Sequence, residues 1–306
     1  MHITVIGAAN IDIIAGSKAG IMRGDSNPAK ITLLPGGVGR NIAENLIKHG
    51  AAVDFITAVG ADLHGAYLRD VCRAAGINTK KWIVRGNIST GLYIAALDCD
   101  GELYVGFNDM SATESIAPDD LTRFAMPIKK SDLLVVDANL AEELLSAIPR
   151  LRKSGPVMAD AASAIKAPRL KSLISSGISI LKANRAEAEA LAGRSLETPD
   201  ALRAACNELV ALGARRVFIT LGAEGACAAE KDGFLMLPAL PARVSDVTGA
   251  GDAFAAGIIL SMGEDLKSEL ERGLELAARH LQTGGEEAEE AEEAEESEEA
   301  AGGRRA

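Results

Sequence analysis

The stretch DLLVVDANLAEELLSAIPRLRKSGPVMADAA, residues 132–162, decides the fold. It opens with DLLVVDAN (132–139), a run apolar on both faces, continues into an amphipathic pattern at about 140–153, and returns to a second two-sided run, VMADAA (157–162). Strands that lack inside-outside alternation are those of a parallel sheet covered on both sides, and the stretch between them has helical periodicity. The same alternation extends in both directions. HITVIGA (2–8), VDFITAVG (53–60), SILKAN (179–184) and RVFITLG (216–222) read as further covered strands. Amphipathic stretches at about 38–49, 63–76, 185–192, 199–212, 249–262 and 266–281 read as the helices between and after them. The pattern predicts an α/β protein with a doubly wound, mostly parallel sheet.

Two segments interrupt it, residues 11–35 and 90–108. In the second, TGLYIAALDCDGELYVGFN, two strand-like runs flank Asp100-Gly101, a strong hairpin turn. Together they predict a small antiparallel β flap at one edge of the main sheet. Such flaps serve as lids that exclude water from a site, although plain surface hairpins give the same pattern.

Of 306 residues, 48% are hydrophobic, enough for a sizeable core, and no run approaches the roughly 18 apolar residues of a membrane span. The N-terminus enters a strand directly, with no charged and then apolar leader, so no membrane partner is expected. The four cysteines lie far apart without a CxxC pair, and the four histidines are equally scattered. This pattern suggests neither a disulfide framework nor a zinc site, and fits a reducing cytoplasm. The net charge of −11 is concentrated at the end: the segment from Gly284 carries ten Glu and two Arg, leaving 30 basic and 33 acidic groups in residues 1–283. A nearly neutral body with 3% aromatics offers neither a basic stripe nor a stacking platform for nucleic acid. The division expected is therefore a single domain over 1–283, with the flap inserted, followed by an acidic tail over 284–306. The tail's alanines are too sparse and its glutamates too mutually repulsive to order it, so it reads as disordered, with a protein-binding role as the alternative.

The sharpest chemical signal is VTGAGDAF (247–254), a small-residue turn opening the helix that runs to about Met262. Glycines allow close backbone approach, and the unpaired amides of a helix N-terminus attract a phosphate. Asp252 in that first turn suits a base that takes a proton from an alcohol as a phosphoryl group arrives in line. A glycine turn with a first-turn Asp favoured by the helix dipole reads equally well from these eight residues alone. No GxxxxGK[ST] motif is present. GGVGRN (36–41) lacks the third glycine and preceding long strand of a dinucleotide fingerprint.

Six motifs in order extend this picture: Gly7-x-x-Asn10-x-Asp12, Gly36-Gly37-x-Gly39-Arg40-Asn41, Val59-Gly60-x-Asp62-x-x-Gly65, Asn184-x-x-Glu187, Thr220-x-Gly222-x-x-Gly225 and Gly249-Ala250-Gly251-Asp252. As an ordered set spanning residues 1 to about 283, they resemble the ribokinase-like, or PfkB, carbohydrate and nucleoside kinases. The resemblance implies a ribokinase-like fold whose flap is a lid and a homodimer interface. It implies ATP and Mg2+ as cofactors, with room for a monovalent cation, and a nucleoside or sugar as acceptor. By position, Asp252 resembles the catalytic base, and Gly249, Ala250 and Gly251 the anion hole. Asn184 and Glu187 match the motif that positions magnesium and the phosphates, Glu187 through water. Thr220, Gly222 and Gly225 match the nucleotide loop. Asn10, Asp12, Gly36, Gly37, Arg40 and Asn41 match the acceptor side, although turn and cap roles suit several of them.

Within the family, Asp25-Ser26-Asn27-Pro28, GGVGRNIAENL (36–46), Asn108-Asp109-Met110, Asp137-Ala138-Asn139-Leu140 and the Ser163/Lys166 segment look like members that phosphorylate the 5′-hydroxyl of a C-nucleoside. That adds Asn108, Asn139 and Lys166 as acceptor-side candidates. Asn139 ends a strand at the edge where open α/β sheets bind ligands, whereas a lone Lys such as Lys166 is more often a solvated surface group. The departure from the family comes after Leu281, where the glutamate tract replaces the segments that complete the adenine pocket in relatives.

Overall fold

The computed structural model describes residues 1–242 and 249–282. Val247, Thr248 and the tail over 284–306 lie outside the described residues. The apolar runs form strands, in chain order β1 (His2–Ile6), β2 (Asn10–Ser17), β3 (Ala29–Gly36), β4 (Ala52–Ile56), β5 (Ala58–Gly60), β6 (Ile83–Arg85), β7 (Gly91–Leu97), β8 (Leu103–Asp109), β9 (Leu133–Asp137), β10 (Val157–Asp160), β11 (Ile178–Asn184), β12 (Ala214–Thr220), β13 (Ala226–Glu230) and β14 (Gly233–Leu237).

Eight of them build one sheet in the order β14-β13-β12-β11-β10-β9-β1-β4. The six strands from β12 to β4 are mutually parallel, and β13 and β14 close the far edge as an antiparallel hairpin. From β1 the chain goes outward to β4; from β9 it goes the other way through β10, β11 and β12. The order therefore reverses between β1 and β9, and the crevice beyond their carboxyl ends is where an open α/β sheet receives a ligand.

Both faces of the sheet are covered because its strands bury side chains on both. Ile6, Val136, Ala159, Leu181 and Ile219 pack with the helices Glu142–Arg152, Arg185–Ala192 and Pro199–Leu212. Val5, Val135, Met158, Ile180 and Phe218 pack with the helices Val38–Lys48 and Ala250–Leu260 and a helical stretch over 266–282. The expected doubly wound arrangement is the one formed.

The two interrupting segments form a separate four-stranded sheet, β3-β2-β7-β8. β7 and β8 pair as an antiparallel hairpin across Asp100-Gly101, with Gly101 at φ 83°, a left-handed conformation that glycine adopts without strain. β2 and β3 are also antiparallel, whereas the two hairpins join through a parallel pairing of β2 with β7. Ile31, Leu33, Leu103, Tyr104 and Phe107 are exposed on this small sheet.

Two features depart from the sequence pattern. The run VDFITAVG divides at Thr57, and β5 leaves the main sheet to pair with β6. The edge hairpin of β13 and β14 carries no strong strand signal, because β13 is ACAAE, whose alanines have low strand propensity and are buried by their neighbours. Cys206 and Cys227, far apart in sequence, face each other there as buried free thiols with sulfurs 4.0 Å apart.

Candidate active site

Three strands end together at the crevice. Asp137 of β9 pairs in register with Asp160 of β10, and Asp160 with Lys182 of β11, so the three side chains form a row across the parallel sheet. All are buried, and Lys182 Nζ lies 3.0 Å from Asp160 Oδ2. Burial alone works against the ammonium, but Asp160, Glu187 and Asp252 outweigh it and raise the Lys182 pKa above its ordinary value. Asp137 fixes the two sides of the switch point: its Oδ2 accepts from the Ala8 amide at 2.8 Å and its Oδ1 from the Asn139 amide at 2.9 Å. Burial pushes the Asp137 carboxyl up to about 6, partly offset by those amides.

The helix Ala250–Leu260 points its N-terminus at this row. Gly249 caps it at φ 81°, and a glycine cap has no side chain to occupy the first amides. Space is tight around the turn. A Cβ at Gly249 would lie 2.8 Å from His280 Nε2, and one at Gly251 would lie 3.1 Å from Lys182 Nζ. Gly249, Ala250 and Gly251 thus lie alongside a buried ammonium, an arrangement that suits an anion. Asp252, in the first turn, is 8% exposed. Burial pushes its carboxyl up to about 7; Lys182 and the Asn41 amide pull it down, and Asp160 and Asp137 push it further up.

Asn41 reaches Asp252 from the other end of the sequence. Its Nδ2 donates to Asp252 Oδ2 at 2.8 Å, and its Oδ1 accepts from Arg40 Nη1 at 2.7 Å. Arg40 is buried; its guanidinium also donates to the Pro35 carbonyl at 2.9 Å and pairs with Glu44. Next to them, Asn10 Nδ2 donates to Asp12 Oδ1 at 2.6 Å. A Cβ at Gly36 would lie 2.3 Å from Asp12 Oδ2 and displace that carboxylate, and one at Gly37, at φ 105°, would lie 2.5 Å from the Ala8 carbonyl, so Gly37 requires glycine. Burial pushes Asp12 up to about 6, against the Asn10 bond and the Arg40 charge. Lys166 is 7% exposed, not a solvated surface group, and donates to Asn139 Oδ1 at 2.8 Å. Burial lowers its pKa, against the pull of Glu114 and Asp137. Asn108 is exposed on β8, the outer strand of the lid sheet, opposite Tyr93.

Further along the sheet edge, Asn184 ends β11 and caps the helix Arg185–Ala192 in a reciprocal box. Its Oδ1 accepts from the Glu187 amide at 2.9 Å, and its amide and Nδ2 donate to the two Glu187 oxygens at 2.7 and 2.9 Å. Burial raises the Glu187 pKa, opposed by Lys182. Thr220 ends β12, and Gly222 and Gly225 take φ of 61° and 100° in the turn to β13. A Cβ at Gly225 would lie 2.1 Å from the Leu237 carbonyl. Among the described residues, no group of three or more His, Cys, Asp or Glu side chains is arranged to hold a metal ion, and no helix is long and apolar enough to cross a membrane.

A buried carboxylate at a helix N-terminus with an ammonium beside it, at the switch point of a doubly wound sheet, is an arrangement suited to phosphoryl transfer. Residues 1–292 match the family described as pfkB family carbohydrate kinase, and the chain belongs to that family of ATP-using kinases. It is 33% identical over 258 residues to a pseudouridine kinase of Escherichia coli (strain K12), covering 84% of this chain and 82% of that one. Among solved structures, a carbohydrate kinase from Agrobacterium tumefaciens is 33% identical with a TM-score of 0.74, covering 90% of this chain and 89% of its own. An Arabidopsis thaliana ribokinase complexed with ribose and ATP has a TM-score of 0.79 at 23% identity, covering 92% of each chain, a likeness of fold.

Proposed function

We propose that the protein transfers the γ-phosphate of ATP to the 5′-hydroxyl of pseudouridine, in the cytoplasm. The observation that carries the reaction is Asp252: a buried carboxylate beside a glycine-capped helix N-terminus, held by Asn41 and pushed up to about 7. In that setting Asp252 accepts the hydroxyl proton, while the amides of Gly249, Ala250 and Gly251 and the Lys182 ammonium face the charge that develops on the transferring group. Asn10 and Asp12 hydrogen-bond the ribose hydroxyls, with Gly36 and Gly37 allowing close approach. Asn139 and Lys166 present a carboxamide and an ammonium to the base edge, and Asn108 and the lid close over it. The acceptor assignment is supported by the relative's identity and by the buried Asn139–Lys166 pair at the switch point.

Asn184, Glu187, Thr220, Gly222 and Gly225 line the nucleotide side. Both Glu187 oxygens are already taken by Asn184, so these hard oxygen donors fit a hydrated Mg2+ held through its waters and the phosphates. The ion supplies charge neutralisation to the triphosphate. With Asp137, Asp160, Glu187 and Asp252 grouped around Lys182, a triphosphate needs such a counter-charge to enter. The exposed apolar side chains of the lid sheet support a homodimer through that face.

The test is ADP release from ATP and magnesium with pseudouridine, uridine, ribose and adenosine, with and without potassium, alongside Asp252→Asn. Turnover on pseudouridine alone, abolished in the variant, is expected. Turnover on another acceptor overturns the substrate, and near-normal turnover by Asp252→Asn overturns the base.

A further inference from the structure

Arg40 stands in an acceptor-side motif, yet the residue is only 7% exposed and its Nη1 and Nη2 are engaged within the protein, with Nε buried and unpartnered. We propose that Arg40 is a positioning residue: it fixes the Asn41 amide with its N–H toward Asp252 and ties that orientation to the end of lid strand β3. The inference rests on the reading of Asp252 as the base.

The argument is one of complementary valence. A carboxamide presents an acceptor on one side and a donor on the other, and a flip exchanges them. Guanidinium nitrogens only donate, so the group facing Arg40 Nη1 at 2.7 Å must be the amide oxygen. An ionised carboxylate only accepts, so the group 2.8 Å from Asp252 Oδ2 must be the amide nitrogen. Without Arg40, the amide is free to flip when Asp252 is protonated, its carbonyl then accepting from the carboxyl O–H and favouring the neutral form that cannot act as a base. The guanidinium is itself held from two sides: Glu44, one helical turn on, neutralises it, and the Pro35 carbonyl accepts from the same Nη1. Pro35 is the penultimate residue of β3, paired with Ile11 of β2, so the contact joins the lid's root to the base through two side chains.

The charged and titratable groups around this relay can be named. Asp252 faces Lys182, Asp160 and Asp137, and Arg40 faces Glu44, Asp12 and the Cys72 thiol. Replacing Arg40 leaves all of those groups in the sequence and removes the donor that orients Asn41.

Arg40→Met, Arg40→Lys, Asn41→Ala and the double variant Arg40→Met/Asn41→Ala separate positioning from mere support. Arg40→Met should lower kcat about 10- to 100-fold with KM for ATP little changed. It should also move the acid limb of the pH profile to higher pH, because Asp252 loses the N–H that favours its charged form. Arg40→Lys, which restores one donor, should recover part of both effects. In the double variant, Asn41→Ala should add little to the loss, since both changes remove one contact. Unchanged kcat and pH profile in Arg40→Met, or fully additive losses, overturn the proposal. If Arg40→Met does not fold, Arg40→Lys decides alone: an upward shift of the limb supports the role, and an unchanged limb ends it.

A carbon-13 titration of the Asp252 carboxyl in ligand-free protein, assigned by its loss in Asp252→Asn, separates the two levels of inference. A raised midpoint in the Arg40 variants upholds the positioning role even if no acceptor turns over, an outcome that would end the kinase reading alone. An unmoved midpoint overturns the positioning role whatever the activity.

Discussion

Replacing the proposed base should do two opposite things at once: Asp252→Asn should lose turnover and gain stability, the gain growing with pH. Folding moves the Asp252 carboxyl from its ordinary 3.8 up to about 7. A group whose folded pKa is raised stabilises the fold fully below its unfolded pKa, and that contribution is lost as pH rises through the folded value. The window for Asp252 therefore runs from about pH 4 to about pH 7, and above it the folded protein bears the whole cost of a buried, ionised carboxylate. About three pH units at about 1.4 kcal/mol each put that cost at about 4 kcal/mol.

Asparagine cannot ionise and so escapes it, while its carbonyl can still accept from Asn41. Against this, Lys182 loses one of the carboxylates that favour its charge, though Asp160 stays in contact at 3.0 Å. The net gain expected at pH 8 is about 1–2 kcal/mol, and at pH 5, where the wild-type carboxyl is mostly protonated in the fold, about a third of that. Urea or thermal unfolding of both proteins at pH 5, 7 and 8 measures the difference, which at pH 8 corresponds to a rise in Tm of a few degrees. Turnover should fall about 10²- to 10⁴-fold, as for loss of a general base. A variant less stable than wild type at pH 8, or equally displaced at all three pH values, would refute the electrostatic account of the site.

Other parts of the structure make independent predictions. A Cβ at Gly257 would lie 2.5 Å from the Arg272 carbonyl, where the helix Ala250–Leu260 presses against the stretch over 266–282. Gly257→Ala should therefore cost about 1–3 kcal/mol by overpacking, read as a lower Tm. Asn184→Ala removes the side-chain half of the box and the Nδ2 bond to Glu187 while leaving the backbone amide bond, so it should lower stability by about 1 kcal/mol through the lost cap and raise KM for ATP in steady-state assays. Phe107→Glu places a charge on the exposed apolar face of the small sheet; if that face pairs two copies as proposed, wild type should sediment as a dimer and the variant as a monomer, with the protein still folded by circular dichroism.

The main sheet was legible because the topology that covers both its faces also removes alternation from its strands, as DLLVVD and ISILK show. The lid was legible for a complementary reason, since Asp100-Gly101 and the alternating runs around it mark a half-exposed hairpin. The parallel joint between β2 and β7 was not, because pairing between segments some eighty residues apart leaves no local signature. The site divides along the same line. Asp252 announced itself through its glycines, a local requirement of the backbone. Lys182 and Asp160 are as deeply buried and carry the same electrostatics, yet they stand alone in their strands.

What could have found them is where they stand: Asp137, Asp160 and Lys182 each close or nearly close an apolar run, and in-register parallel pairing turns three such endings into one row. Arg40 shows the limit of that reasoning. Its place in the glycine motif made it an acceptor-side candidate, but only the positions of Pro35, Asn41 and Glu44 say that its charge is turned inward. A motif thus locates a residue along the chain, and the partners that satisfy its donors decide which molecule, substrate or protein, it serves.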